Sequence, residues 1–333
     1  MARALDLGRS VLGRTSPNPP VGAVVIDADG MIAGEGATQP PGGPHAEIVA
    51  LRAAGVRSRG ATLVTTLEPC SHTGRTGPCT DALIAAGVAE VSYAVTDPTP
   101  EAAGGGRVLT AAGIDVHPGL YADLAAAGAL RGWLFAVEHG RPQVTWKYAA
   151  TLDGRVAAAD GSSRWITGDA ARVDVHRLRG ESDAVLVGSG TVLADDPHLT
   201  VRGEDGELAD HQPLRVVVDR RGRTPSTARI HDERAETLLL GSADPGHALK
   251  VLYDRGIRSV LLEGGPTLAG AFVRAGLVDQ VVGYLAPALL GDGPAALGAA
   301  GMSTIADALR LRVDDLTVLG GDVRITATPC RRD

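Results

Sequence analysis

Short Val- and Leu-rich runs alternate with Ala-rich stretches of helical length along nearly the whole chain, and this alternation restricts it to a layered α/β architecture. In the first half, residues 21–27, 61–67 and 90–96 read as strands. Residues 1–13, 45–54, 105–112 and 121–137, and a stretch starting near Pro78, read as helices. In the second half, strands are expected at 143–150, 184–187, 214–219, 236–240, 259–262 and 281–285, and the acidic stretch 203–212 reads as a surface loop. Aromatic residues make up only 3% of the chain against 44% apolar, so its cores must be built from Ala, Val and Leu. That palette suits largely parallel sheets with helices on both faces. The 333 residues supply two cores rather than one. The polar, turn-forming stretch Glu138-His139-Gly140-Arg141-Pro142 separates them, giving expected domains 1–140 and 141–333.

The net charge of −7 argues against a nucleic-acid partner, which needs a basic face. A small phosphorylated substrate needs only a few local cations and stays open. The first thirteen residues lack the apolar core of a signal peptide, and no run approaches a membrane span. Three cysteines do not make a disulfide framework, so a reducing, cytoplasmic location is expected.

Three features of the first half converge on a metal. His45-Ala46-Glu47 opens a helix after the Pro40-Pro41-Gly42-Gly43-Pro44 loop, Glu68-Pro69-Cys70 ends a strand, and Cys79 follows Pro78 at a helix start. Two thiolates and an imidazole hold Zn2+ in three positions and leave a fourth for water, the layout of a catalytic rather than a structural site. Zinc brings the pKa of that water to about 7. Glu47, two residues from a ligand, is placed to take its proton and pass it to a departing amine. Each element alone is weak, since His-x-Glu triplets are common on helix surfaces and buried cysteines are ordinary core residues. Together they point to a deaminase. The alternative, a structural site, needs a fourth protein ligand, for which His72 is the nearby candidate.

Zinc deaminases usually close the site with Pro-Cys-x-x-Cys, whereas here 71–78 stand between the two cysteines. That insert, Ser-His-Thr-Gly-Arg-Thr-Gly-Pro, offers one cation and several hydroxyls to a ribose phosphate. The insert, His45-Ala46-Glu47 and Thr15-Ser16-Pro17-Asn18-Pro19-Pro20-Val21-Gly22 resemble the bifunctional riboflavin-biosynthesis deaminase/reductases. The resemblance implies a cytidine-deaminase-like three-layer α/β/α domain in which Asn18 seats a pyrimidine ring and His72, Thr73, Arg75, Thr76 and Asp97 line the substrate pocket. The chain departs from the family at Ala37-Thr38, where an aromatic-His pair is frequent, and at Thr99, where Asn is frequent in Asp-Pro-Asn-Pro. Asn18, between prolines, also reads as a turn residue.

The second half has no Gly-x-Gly-x-x-Gly fingerprint. Two strand ends are nonetheless glycine-rich, Gly188-Ser189-Gly190-Thr191 and Gly264-Gly265-Pro266-Thr267, and either could meet a phosphate or be an ordinary turn. Lys147-Tyr148-Ala149-Ala150-Thr151-Leu152-Asp153-Gly154-Arg155, Trp165-Ile166-Thr167, residues 190–197 and Glu263-Gly264-Gly265-Pro266-Thr267-Leu268 resemble the reductase domain of the same family. The resemblance implies a dihydrofolate-reductase-like α/β domain. It places NADPH near Ala150, Trp165, Thr167, Thr191, Asp195, Gly265, Pro266, Thr267, Leu268, Ala269, Gly270 and Ala271. It places the phosphorylated pyrimidine substrate near Lys147, Arg164, Arg179, Leu199, Arg202 and Glu263. Arg179 and Arg202 suit a bidentate phosphate clamp. His176 and His198 read as satisfied surface histidines, and Cys330 as incidental.

The sequence thus reads as an enzyme that removes an amino group from the phosphoribosylated diaminopyrimidine and then reduces the ribosyl chain with NADPH, as a dimer or tetramer and with no membrane or nucleic-acid partner. NADH in place of NADPH stays open, as do two rivals: a deaminase of free nucleosides or tRNA, and a chain in which only the reductase works.

Overall fold

A computed structural model describes residues 1–72, 77–203 and 205–330. The chain divides into two compact units, Met1–Arg141 and Pro142–Asp333.

The first unit runs α1 (Ala2–Arg9), β1 (Gly22–Ile26), β2 (Ile32–Ala37), α2 (Ala46–Ala54), β3 (Thr62–Leu67), α3 (Cys79–Ala86), β4 (Glu90–Val95), α4 (Gly105–Ala111), β5 (Asp115–Pro118), α5 (Ala122–Ala127) and α6 (Arg131–His139). The sheet order is β2-β1-β3-β4-β5. β1 is antiparallel to both neighbours, so the sheet is mixed rather than largely parallel. Only β3, β4 and β5 run parallel, joined by helical crossovers.

Two faces are fixed by glycines. A Cβ at Gly22 would stand 2.0 Å from the Ala4 carbonyl of α1, and one at Gly36 would stand 2.2 Å from the Ala46 carbonyl of α2. Gly22 and Gly36 alternate in the β1–β2 ladder (Gly22 pairs with Ala37, Ala23 with Gly36), so α1 and α2 cover opposite faces. The segment expected as one helix over 121–137 is two, because the chain breaks at Gly128 between α5 and α6. Likewise α1 ends at Arg9, short of Gly13.

The second unit runs β6 (Gln143–Thr151), α7 (Asp169–Gly180), β7 (Ala184–Gly188), α8 (Ser189–Asp195), β8 (Leu214–Val218), β9 (Thr237–Leu240), α9 (Pro245–Asp254), β10 (Ser259–Leu262), α10 (Pro266–Arg274), β11 (Gln280–Ala286), β12 (Leu311–Leu319) and β13 (Asp322–Pro329). Its eight strands are ordered β12-β13-β11-β6-β10-β7-β8-β9. The six from β11 to β9 are parallel. Their central members are rich in Val and Leu, as burial on both faces demands: β7 and β8 supply Val185, Leu186, Val187, Val216 and Val217, all fully buried, with Arg215 of β8 the buried exception. The antiparallel β12–β13 hairpin extends one edge. Its outer strand carries Asp314 and Asp315 and a register shift between Val313 and Asp315, features that discourage further pairing.

Candidate functional site

In the first unit the site is set by how α2 lies on β2. The helix presents Ala46, Ala50 and Ala54, all buried, to Gly34 and Gly36, so backbone meets backbone with no side chain between. His45 is the extended N-cap of α2, and Glu47 follows in its first turn. β3 delivers Cys70 three residues past its end, and α3 opens on Cys79 with Pro78 as its N-cap.

His45 Nδ1 lies 3.6 Å from Cys70 Sγ and 3.4 Å from Cys79 Sγ. All three donor atoms fall within 4.8 Å of one another. A tetrahedral zinc with one nitrogen and two sulfur ligands has N–S edges of about 3.6 Å, so the triad fits that ion without rearrangement. Sharing a proton with Cys79 holds the Cys70 thiol far below its usual value and pushes Cys79 up. Two adjacent thiols cannot both be anions unless a cation lies between them. His72 does not join the cluster, which leaves three protein ligands among the described residues and speaks against a closed structural site.

Glu47 is 4% exposed, and its Oε2 is buried with no hydrogen-bond partner among the described residues. Burial pushes its carboxyl up to about 7. A carboxyl poised there can both accept and return a proton near neutral pH.

The other deaminase positions divide. The Asn18 amide nitrogen closes a turn on Thr15 O (2.9 Å), while its side chain has no hydrogen bond among the described residues. His72 Nδ1 is buried and has no hydrogen-bond partner among the described residues. Asp97 is 6% exposed, and its Oδ1 accepts from the Thr99 amide (2.8 Å) and hydroxyl (2.6 Å). Thr38 is turned into the backbone, accepting from Val21 N at 3.1 Å. The residues that replace the family's aromatic-His pair and Asn therefore serve local structure. Thr73, Arg75 and Thr76 lie outside the described residues.

In the second unit, Lys147 of β6, Arg179 of α7 and Glu263 after β10 form one partly buried cluster. Arg179 Nε and Nη2 donate to the two Glu263 oxygens at 2.6 and 2.9 Å, and Lys147 Nζ stands 3.8 Å from Glu263 Oε2. Burial pushes Glu263 up, but Arg179 and Lys147 outweigh it and hold the carboxyl at about 2. Burial also pushes the Lys147 ammonium down, with Glu263 partly offsetting it. The guanidinium fork expected to hold a phosphate is thus taken up by Glu263. The Arg202 side chain turns to Gly206 O (2.7 Å) in its own loop. His176 is half-buried against this cluster: its Nδ1 lies 3.1 Å from Thr200 O and 3.2 Å from Arg202 N, and burial followed by Arg179 pushes its pKa down. It is therefore no surface histidine, whereas His198 pairs with Asp232 at 2.8 Å. Leu199 is buried at φ 52.

The two glycine-rich strand ends meet: Gly265 N donates to Thr191 Oγ1 at 3.2 Å. Arg164 Nη2 reaches the Asp195 carbonyl at 2.6 Å. Trp165 is 70% exposed with Arg172 4.5 Å over its ring, and Thr167 O accepts from Arg172 at 3.0 Å. Ala150 is buried in β6, and Pro266, Thr267, Leu268, Ala269, Gly270 and Ala271 form the first turns of α10. Leu268 packs against both Gly188 and Gly264.

One group escaped the sequence reading. After β8 come Arg220, Arg221 and Arg223, and Arg223 Nη2 donates to Ser189 Oγ at 3.0 Å, at the Gly188–Gly190 turn. None of the three pairs with a carboxylate among the described residues. Three arginines in four residues directly after a Val-rich strand were the available signal.

Comparison with known proteins agrees with both halves. Residues 1–95 match the cytidine and deoxycytidylate deaminase zinc-binding region, and 142–325 match the RibD C-terminal domain. Riboflavin biosynthesis protein RibD of Mycobacterium tuberculosis (strain ATCC 25618 / H37Rv) is 51% identical over 98% of this chain and 95% of its own length. RibD of Escherichia coli (strain K12) is 43% identical over 97% and 96%. Among solved structures, Acinetobacter baumannii RibD has a TM-score of 0.90 at 40% identity, covering 99% of this chain and 98% of its own. A Thermotoga maritima protein described as a diaminohydroxyphosphoribosylaminopyrimidine deaminase/5-amino-6-(5-phosphoribosylamino)uracil reductase has a TM-score of 0.91 at 36% identity, covering 99% and 97%. The chain belongs to the RibD family.

Proposed function

We infer that the chain is a bifunctional deaminase/reductase of riboflavin biosynthesis. Its substrate is 2,5-diamino-6-(5-phosphoribosylamino)pyrimidin-4(3H)-one, which it deaminates hydrolytically. It then reduces the ribosyl chain with NADPH to 5-amino-6-(5-phosphoribitylamino)uracil. The observation that carries the reading is the His45–Cys70–Cys79 triad beside the buried Glu47, whose Oε2 has no partner among the described residues.

His45 Nδ1 and the two sulfurs would hold zinc, which when bound supplies a water acidic enough to attack at neutral pH. Glu47 takes the proton from the attacking water at its free oxygen and returns it to the amino nitrogen, which leaves as ammonia. In this reading Asn18, His72, Thr73, Arg75, Thr76 and Asp97 bind the ring and ribose phosphate, supported by the Asn18 side chain and His72 Nδ1, which have no hydrogen bond among the described residues. The first unit carries this step, so its three-ligand centre argues against a scaffold kept only for assembly.

In the second unit the joined turns at Thr191 and Gly265, with Ala150, Trp165, Thr167, Asp195 and residues 265–271, hold the nicotinamide cofactor. Arg223, bonded to Ser189 and with no carboxylate partner among the described residues, offers its guanidinium to a cofactor phosphate, which favours NADPH over NADH. Lys147, Arg164, Leu199 and Arg202 meet the ribosyl phosphate, while the Arg179–Glu263 pair fixes the wall from which Lys147 projects.

No helix among the described residues is long and apolar enough to cross a membrane. A cytoplasmic location fits the free Cys70 and Cys79 pair, and the exposed apolar side chains of β12 fit a homo-oligomer that packs on them rather than extending the sheet. The test is one assay with the diaminopyrimidine substrate, following ammonia and then NADPH. Ammonia release before NADPH consumption is expected. NADPH oxidation with no ammonia would leave the reductase alone active.

A further inference from the structure

Glu68 is a buried acid that the two reactions leave without a task. It is 4% exposed and stands two residues before the ligand Cys70. Its Oε2 accepts from the Asp97 amide at 3.1 Å and its Oε1 from the Gly106 amide at 2.9 Å. One carboxylate therefore staples both ends of the segment 97–106.

Between those ends the segment leans on the strand end that carries Cys70. Ser71 N donates to Ala102 O at 3.3 Å and Ser71 Oγ to Ala103 O at 3.0 Å. Ala102 packs with Cys70, Cys79 and Ile48 in one small apolar cluster over the two thiols. At the far end Gly105 sits so close that a Cβ would stand 1.7 Å from the Pro69 carbonyl. None of these contacts passes through a metal.

Helix capping alone does not explain the arrangement. Capping accounts for the bond to Gly106 in the first turn of α4, but Asp97 follows β4 and lies outside any helix. An ionised carboxylate is an acceptor-only group, and two buried amides converge on it. A glutamine cannot replace it, since its NH2 would face one amide donor to donor.

We propose that Glu68 is a positioning residue: it holds the segment 97–106 as a strap over the Cys70–Cys79 pair, keeping that pair assembled before metal binds and fixing Asp97 toward the substrate. The consequence for catalysis rests on the deaminase reading above, whereas the closure of the strap does not.

The test is Glu68→Gln in the full chain, with three readouts. Amide hydrogen exchange in peptides covering 97–106 should quicken, with and without zinc. The zinc dissociation constant, from competition with a chelating dye, should rise roughly tenfold for one lost charge-assisted hydrogen bond. In zinc-saturated enzyme, KM for deamination should rise while kcat stays within about threefold, because His45 and Glu47 on α2 are untouched. Unchanged exchange and zinc affinity would overturn the proposal, as would a fall in kcat at constant KM. Amide exchange in peptides covering β1 and β3, which lie outside the strap, reports whether the first unit of the variant is folded. Should it not fold, Ser71→Ala cuts the strap from its other side and should move all three readouts the same way by less; no movement would overturn the proposal. A wild-type chain that releases no ammonia would defeat the deaminase reading, and the exchange measurement would still decide the strap.

Discussion

Replacing Gly36 by alanine puts a methyl group where α2 leaves no room. The new Cβ would stand 2.2 Å from Ala46 O, 2.5 Å from Ala50 N and 2.8 Å from Val49 Cβ. The first of these falls about 1.2 Å short of an ordinary van der Waals contact. β2 is held to β1 along the ladder from Gly22–Ala37 to Ile26–Ile32, so the helix end must give way. That end carries His45 and Glu47, and metal–ligand distances tolerate only about 0.2 Å. Overpacking of this kind costs about 1–3 kcal/mol, which corresponds to a zinc dissociation constant raised roughly 5- to 150-fold. Zinc affinity by chelator competition and ammonia release should fall together, while reductase turnover, which belongs to the other unit, should not change. Gly34→Ala supplies the contrast. It strikes Ala50 O at 2.3 Å and Ala54 N at 2.6 Å, toward the far end of the same helix, so it should cost similar stability with a smaller loss of zinc. Wild-type zinc affinity in the Gly36 variant, or equal zinc loss in both, would refute the claim that this contact aims the ligand.

Two further outcomes follow from the second unit. Arg223→Ala should raise KM for NADPH tenfold or more, on the order of one lost guanidinium–phosphate contact, and leave KM for NADH unchanged; equal changes with both cofactors would remove Arg223 from phosphate recognition. Glu263 has a folded pKa held at about 2, below its ordinary 4.5, so its contribution is fully present above pH 4.5 and is lost as pH falls toward 2. That contribution is on the order of 3 kcal/mol. Glu263→Gln should flatten this part of the stability–pH curve and cost about 3–5 kcal/mol at pH 7, because Lys147 and Arg179 lose their shared partner. Urea unfolding of both proteins at pH 7, 4 and 3 measures it, and parallel acid curves would place the pH dependence elsewhere.

The metal centre was legible because its chemistry is written in side-chain identity: His45, Glu47, Cys70 and Cys79 carry the signal wherever the chain folds. Partnerships that involve backbone atoms or distant side chains were not. Glu68 meets amides 29 and 38 residues away, which no local pattern shows. Arg179 looked like a phosphate clamp because its partner Glu263 lies 84 residues on. Most parallel strands of the second unit stood out as Val- and Leu-rich runs, whereas β12 did not, since Asp314 and Asp315 interrupt its alternation at the exposed edge. The Gly320-Gly321 turn joining β12 to β13 was the overlooked hairpin signal. The mixed first sheet was missed for a related reason, as four of the six residues of β2 (Ile32–Ala37) are glycine or alanine to admit α2, so the strand lacks strand-forming residues.

The central claim is that Glu47 moves protons at a centre built by His45, Cys70 and Cys79. It is tested most directly by Glu47→Gln, with zinc content and ammonia release measured on the same preparation. One zinc per chain, with deamination reduced by about 10²–10⁴, is the predicted result. A variant that retains zinc and still releases ammonia at the wild-type rate would contradict the account.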